Sequence, residues 1–136
     1  MNEFLINPTV RVIRGLSMTL PMPPTINHYY QSRGKQRFLS AAAKAFRVDV
    51  VAAFYQRGKF APFAGPLRLS AVLSFGTMRE CDLDNRVKSL QDALQWAGFY
   101  ESDSQIDILR VVRGPTKRGG QCFVCLEEIE IQRRRS

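Results

Sequence analysis

Hydrophobic and polar positions alternate along several stretches of the chain and recur every three to four residues in two others. Val10 to Leu20 (VRVIRGLSMTL) is rich in β-branched and apolar side chains with partial period-two spacing, and it runs into Pro21, Pro23 and Pro24. Prolines cannot donate to a sheet ladder, so the pattern predicts a strand stopped at that point. In LRLSAVLSF the residues Leu67, Leu69, Ala71, Leu73 and Phe75 alternate with Arg68, Ser70, Val72 and Ser74, the signature of a strand with one buried face. IDILRVVRG and QCFVCLEEIEI read as two more strands, joined by PTKRGG in what resembles a hairpin loop, basic at its tip. Ser40 precedes an alanine-rich stretch in which Ala42, Phe46, Val50 and Phe54 recur every four residues, which predicts an N-capped amphipathic helix ending near Gly58. A second helix is expected from about Asp84 to Ala97, with Val87, Leu90, Leu94 and Ala97 on one side and Gly98 closing it. From Pro21 to Leu39 the mix of Pro, Asn, Gly and Ser reads as a loop.

The order strand, helix, strand, helix, strand, strand predicts an α+β (mixed α/β) fold: a single domain with a mixed sheet of about four strands and two main helices packed on it. At 136 residues one domain is the expectation, and no repeat or linker divides it. Residues 1–16 read as an extension and residues 132–136 as a basic tail.

Composition narrows the classes. A hydrophobic content of 45% excludes a disordered chain, and no apolar run is long enough to cross a bilayer. Met1 to Ile6 carries no export signal, so a cytoplasmic location is expected. Cys81, Cys122 and Cys125 form an odd set that suits a reducing compartment. Cys122 and Cys125 have CxxC spacing, but the only other soft ligands, Cys81 and His28, are remote in sequence, and the cysteines read as fillers of small apolar spaces. The net charge of +8 points to a polyanionic partner. Within the 21–39 loop, Arg33, Lys35 and Arg37 beside His28, Tyr29 and Tyr30 suit either phosphate contact with base stacking or packing of the tyrosines against the core.

The chemistry concentrates at Glu80-Cys81-Asp82-Leu83-Asp84-Asn85, where a strand hands over to a helix. Two aspartates two residues apart point the same way if the chain is extended there. Hard cations such as Mg²⁺ commonly take one or two protein carboxylates together with waters and substrate phosphates. The competing reading is structural: aspartate is a favoured helix cap, and the helix dipole stabilises it there. Asp84, Lys88 and Asp92 follow at four-residue intervals on one helix face. Lys88 is therefore placed to stabilise charge on an attacked phosphate, or else simply to pair with Asp84.

The ordered series Leu20-Pro21-Met22-Pro23-Pro24 with Asn27 and Tyr30, Asp82-Leu83-Asp84-Asn85 with Lys88, Asp92-Ala93-Leu94, Ala97-Gly98-Phe99, Asp103 with Gln105, and Lys117-Arg118-Gly119-Gly120 resembles the RusA family of Holliday-junction resolvases from Leu20 to about Ile129. The resemblance implies a homodimeric, Mg²⁺-dependent endodeoxyribonuclease, with Mn²⁺ as a substitute metal and no small-molecule cofactor, that nicks opposed strands of a four-way DNA junction in recombination and repair. It implies Asp82, Asp84 and Asp103 as metal-binding catalytic carboxylates and Lys88 as a catalytic lysine. DNA contacts are expected at Tyr30, Arg33, Lys35, Arg37, Arg79, Lys117 and Arg118. The family is often strongly basic just before the Asp-x-Asp, whereas here Glu80 and Cys81 follow Arg79. For the third carboxylate, Asp107 lies between Ile106 and Ile108 in a strand and is expected to face solvent, while Asp92 is two helical turns from Asp84. Two rivals remain: a non-catalytic nucleic-acid-binding protein in which the aspartates only cap the helix, and a nuclease that prefers flaps, forks or single strands.

Overall fold

A computed structural model describes residues 9–77 and 81–132. Arg79 and Glu80, the first eight residues and the Arg133 to Arg135 tail lie outside them. Strand β1 covers Val10–Leu20, followed by the short helix α1 (Ile26–Tyr29), a pair of short strands β2 (Tyr30–Arg33) and β3 (Gln36–Leu39), and helix α2 (Ala41–Tyr55). Then come β4 (Leu67–Ser74), helix α3 (Asp84–Ala97), a 3₁₀ turn at Asp103–Gln105, β5 (Ile106–Arg113) and β6 (Gln121–Ile131).

Four strands form a mixed sheet in the order β1-β6-β4-β5, with β4 and β5 parallel and the other pairs antiparallel. One face of this sheet carries the core. Leu16, Met18 and Leu20 of β1, Leu67, Leu69, Ala71 and Leu73 of β4, and Cys122, Val124 and Leu126 of β6 pack with Phe46 and Val50 of α2 and Leu90, Ala93 and Leu94 of α3. The period-two reading of β4 is thus realised: its odd-numbered residues from 67 to 73 are buried and Arg68, Ser70 and Val72 are half-buried. The β4–α3–β5 unit is a parallel pair with a helical crossover, which brings the C-terminal end of β4 and the N-terminus of α3 to the same edge of the domain.

Ser40 caps α2 as its sequence position predicts, its hydroxyl accepting from the Ala43 amide at 3.1 Å. The helix buries Ala43 with Phe46 and Val50, while Ala42 is exposed. In α3 the buried set is Ser89, Leu90, Ala93 and Leu94, with Val87 and Ala97 only half-covered. Gly98 ends the helix at φ 106°, a left-handed conformation that glycine adopts without a Cβ penalty.

Two expectations are corrected. The 21–39 segment is not all loop: β2 and β3 pair antiparallel, turning at Gly34 with φ 63°. Their hairpin is closed at its base by the Ser40 amide donating to the Tyr29 carbonyl at 2.9 Å. The 114–120 connection is not a hairpin, because β4 lies between β5 and β6. It crosses the C-terminal end of β4, where the Gly114 amide donates to Leu73 and the Lys117 amide to Phe75, each at 2.9 Å. The strand expected from Val10 to Leu20 is realised: its first half, Val10 to Leu16, pairs with β6 from Ile131 to Leu126, with one irregularity near Ile13.

Candidate active site

Helix α3 is the next element after β4, and the parallel β4–α3–β5 unit sets its start, with Asp82 and Asp84, at the end of the sheet where the 114–120 crossing also passes. Both are exposed. The N-cap of α3 is Leu83, in helical conformation and with no side-chain hydrogen bond to the first turn. The capping alternative therefore does not describe this helix: neither aspartate spends its carboxylate on a cap, and neither has a hydrogen-bond or ion-pair partner among the described residues. Asp84 does sit in the first turn, where the helix dipole favours its charge.

One turn on, Lys88 reaches across to the 3₁₀ turn and its Nζ donates to Asp103 Oδ2 at 2.9 Å. The turn is fixed by its own capping box: the Ser102 hydroxyl accepts from the Ser104 amide, and the Gln105 side chain accepts from the Glu101 and Ser102 amides at 2.9 and 3.0 Å. Gln105 also donates to the Phe63 and Gly65 carbonyls, tying the turn to the connection that precedes β4. The hydrogen bonds of its own loop thus fix the backbone at Asp103, and its side chain adds the bond to Lys88. Its second oxygen, Oδ1, is buried with no hydrogen-bond partner. The bond and charge of Asp103 hold the Lys88 ammonium above its ordinary pKa, with Asp92 and Tyr30 close enough to add to the effect. Tyr100 lies beside the same carboxylate: burial pushes its phenol well up, Asp103 adds to the shift, and its hydroxyl donates to the Gln91 carbonyl at 2.7 Å.

The structure brings Asp103 to Lys88 but does not close the three carboxylates round one point: among the described residues no three His, Cys, Asp or Glu side chains form a metal-sized group. The donor set nevertheless fits a hard divalent cation. It offers carboxylate oxygen only, two of the carboxylates are uncommitted, and the third presents an orphaned buried oxygen.

The alternative third carboxylates are otherwise placed. Asp92 Oδ2 accepts from Arg47 Nη2 at 2.7 Å and from the Tyr29 hydroxyl, while Arg47 Nε donates to Tyr29 at 3.0 Å. This network joins α1, α2 and α3. Asp107 is exposed, as expected, though for a different reason: a register irregularity sets Ile106 opposite Leu67 and Ile108 opposite Arg68, so the two isoleucines do not share a face.

The expected DNA contacts fall into two groups. Tyr30, Arg33, Lys35 and Arg37 lie on the β2–β3 hairpin, where the Arg37 guanidinium stacks 4.4 Å from the Tyr30 ring centre and Tyr29 below is fully buried. Tyr30 therefore belongs to the arm and Tyr29 to the core, which divides the two readings of the tyrosines between them. Lys117 and Arg118 are exposed on the crossing above β4. Between this crossing and the aspartates lies a group that sequence reasoning missed. Phe75 has the Arg113 guanidinium 5.0 Å from its ring centre and the Arg86 guanidinium at 5.6 Å. Arg113 Nη2 also donates to the Cys81 carbonyl and Arg86 Nη1 to the Pro23 carbonyl at 2.7 Å. No local pattern marks these arginines: the register of β4 on β5 brings Arg113 to the Phe75 end of the sheet, and the placement of α3 brings Arg86 there.

Fold and site together define a basic α+β domain that places uncommitted carboxylates and a paired lysine at a strand-to-helix junction flanked by arginine- and lysine-bearing segments. A protein-family model described as Endodeoxyribonuclease RusA matches residues 21–126, and the chain belongs to that family. It is 36% identical over 111 residues to a crossover junction endodeoxyribonuclease of Enterobacteria phage HK97, covering 82% of this chain and 92% of the relative. It is 33% identical over 113 residues to the enzyme of that name from Escherichia coli strain K12, covering 83% and 94%. The phage 82 protein of the same name is 32% identical over 112 residues, covering 82% and 93%. The matched family region begins just after β1 and contains every described candidate residue named above.

Proposed function

We propose that the protein resolves four-way DNA junctions by Mg²⁺-dependent paired nicks in opposed strands, as a homodimer serving recombination and repair in the cytoplasm. The observation that carries the reading is the start of α3, where Asp82 and Asp84 are left uncapped beside a lysine already engaged with Asp103. The relatives, named for crossover junctions, supply the substrate class.

Asp82, Asp84 and Asp103 would hold the cation, Mg²⁺ or Mn²⁺, which when bound activates water and offsets charge on the scissile phosphodiester. Lys88 is positively charged at working pH, with Asp103 holding its ammonium pKa further above the ordinary value, and lies one turn from Asp84, positioned to neutralise charge gathering on the attacked phosphate. The hairpin arm carries Arg33, Lys35 and the Arg37–Tyr30 stack outward from the same side, since Tyr30 lies near Lys88. Lys117 and Arg118 flank the aspartates from the other loop and reach phosphates further along the duplex arms. The products are a 5′-phosphate and a 3′-hydroxyl. A two-fold dimer presents two such sites to a substrate that is itself close to two-fold symmetric. The three free thiols fit a reducing compartment.

Cleavage of a labelled mobile junction with and without Mg²⁺ tests the reading. Asp82→Asn, Asp84→Asn and Asp103→Asn are expected to bind the junction and fail to cut it, while Asp107→Asn cuts normally. Binding by the parent protein with no metal-dependent cleavage would reduce it to a DNA-binding domain, and faster cutting of flaps, forks or single strands would reassign the substrate.

A further inference from the structure

We propose that Arg113, the last residue of β5, is a positioning residue for the metal-binding carboxylates: its guanidinium fixes the course of the chain into Asp82. The inference rests on the metal site proposed above and concerns how this chain builds it.

The physical problem is the start of α3. A helix whose first turn lacks a side-chain cap leaves its leading amides without a local partner and its incoming chain without a local lock. Here the N-cap is Leu83, and the two neighbouring aspartates make no cap. Cys81, one residue before Asp82, packs against the core, and the backbone there is held from outside the helix. Arg113 meets that need in two ways: Nη2 donates to the Cys81 carbonyl, and the guanidinium plane lies 5.0 Å from the Phe75 ring centre. Phe75 is only 6% exposed, so the stack is anchored in the core. The register fixes where the guanidinium starts, because Arg113 stands opposite Leu73 in the parallel β4–β5 pair, at the end of the strand from which the aspartate segment departs.

A second arginine supports the same ring from another element. Arg86, in the first turn of α3, lies 5.6 Å from the Phe75 centre and donates to the Pro23 carbonyl. Phe75 is therefore flanked by guanidinium groups from β5 and α3. One holds the peptide before Asp82, and the other ties the first turn, which carries Asp84, to the segment after β1. Arg113 contributes what a capping residue would contribute elsewhere, while leaving both aspartates uncommitted. A lysine in its place can reach the Cys81 carbonyl but cannot reproduce the planar stack with simultaneous hydrogen bonding, whereas methionine keeps apolar contact with Phe75 and loses the donor.

The test uses the full chain, with Arg113→Met and Arg113→Lys compared with the parent. Isothermal titration of Mg²⁺ alone into the protein without DNA gives a direct binding readout, and the Mg²⁺ dependence of junction cleavage gives a second. Loss of a group that orients metal ligands typically weakens metal affinity by about tenfold or more. We expect Arg113→Met to raise both the Mg²⁺ dissociation constant and the half-saturating Mg²⁺ concentration by about tenfold. The maximal cutting rate at saturating Mg²⁺ and the metal-free junction affinity should stay within about twofold of the parent, and Arg113→Lys should recover part of the loss. Parent-like Mg²⁺ affinity in Arg113→Met together with weakened junction binding and a shallower salt dependence would overturn the proposal and make Arg113 a phosphate anchor. Parent-like behaviour in every assay would overturn it as well. Should Arg113→Met fail to fold, Arg113→Lys decides alone, an unchanged Mg²⁺ requirement counting against the proposal. A parent protein that neither binds Mg²⁺ nor cuts would instead defeat the metal site itself.

Discussion

Asp92 offers the sharpest test of which carboxylates are chemical and which are structural. Its Oδ2 accepts from Arg47 at 2.7 Å and from the Tyr29 hydroxyl, and the side chains of Arg47 and Asp92 are 15% and 28% exposed. The Arg47 guanidinium also stacks 4.9 Å from the ring of Trp96, itself more than half exposed. Asp92→Asn preserves shape but leaves a largely buried guanidinium without its counter-charge. Breaking a fully buried ion pair costs about 3–5 kcal/mol. Partial exposure of Asp92 lets water replace some of what is lost, so the cost should fall nearer the value of a charge-assisted hydrogen bond, about 2 kcal/mol. For a domain of this size that lowers Tm by about 8 °C. Calorimetry gives the Tm, and urea unfolding followed by the fluorescence of Trp96, the only tryptophan, gives the free energy. Below the transition Asp92→Asn should still cut junctions at nearly the parent rate, because Asp92 is committed to the α1–α2–α3 network. An inactive variant with an unchanged Tm would refute the argument and put Asp92 in the metal site; an active variant with an unchanged Tm would show that the network contributes no stability.

Lys88→Ala should lower the cleavage rate far more than junction affinity, because the ammonium acts on charge that develops during attack; single-turnover kinetics at saturating protein separate the two, and poor binding with normal cutting would make Lys88 an anchor. Junction affinity should fall steeply with salt, and Arg33→Ala or Lys117→Ala should each reduce the slope of log K against log salt by about one, the release expected for one phosphate contact. Burial pushes the Cys122 thiol up to about 12. The folded state thus keeps a proton that the unfolded chain sheds above its ordinary value near 9, so the stability contributed by the neutral thiol is full below pH 9 and is lost as pH rises towards 12. Between pH 8 and pH 9.5 this removes about 1 kcal/mol, measurable by urea unfolding, and Cys122→Ala should flatten that part of the pH dependence.

Elements with a two-residue period and a buried face were legible because alternation is written locally. The limits of β1, the inward set of β4 and the Ser40 cap all follow from neighbours in sequence. The β2–β3 hairpin was not legible, since its strands are four residues each and almost wholly exposed, with no apolar alternation to betray them. Its closure depends on Tyr29 and Ser40, residues that meet only once α1 and α2 are packed. The inward face of α2 was misjudged by one position because a run of alanines carries no hydrophobic contrast between Ala42 and Ala43. The PTKRGG connection looks like a hairpin by every local rule; only the insertion of β4 between β5 and β6 makes it a crossing, and that is a property of the whole sheet.

The candidate site shows the same division at higher stakes. Asp82, Asp84 and Lys88 share one short segment, so their grouping was readable from spacing, while the metal-binding and catalytic roles assigned to them came from the family resemblance. Asp103 was distinguished from Asp107 and Asp92 chiefly by family resemblance, and what the structure adds is its bond to Lys88 and a buried oxygen without a partner. Arg86, Arg113 and Phe75 escaped because their meeting needs both the parallel pairing of β4 with β5 and the placement of α3, which no local signal specifies. The reason is topological. A parallel strand–helix–strand unit delivers the end of one strand, the start of the crossover helix and the end of the returning strand to a single edge. Asp82 and Asp84 can then come from the first junction while Arg113, at the end of the second strand, reaches the peptide before them. In this chain Asp82, Asp84 and Lys88 belong to one stretch of sequence, whereas Asp103 and Arg113 are brought to that stretch only by the fold.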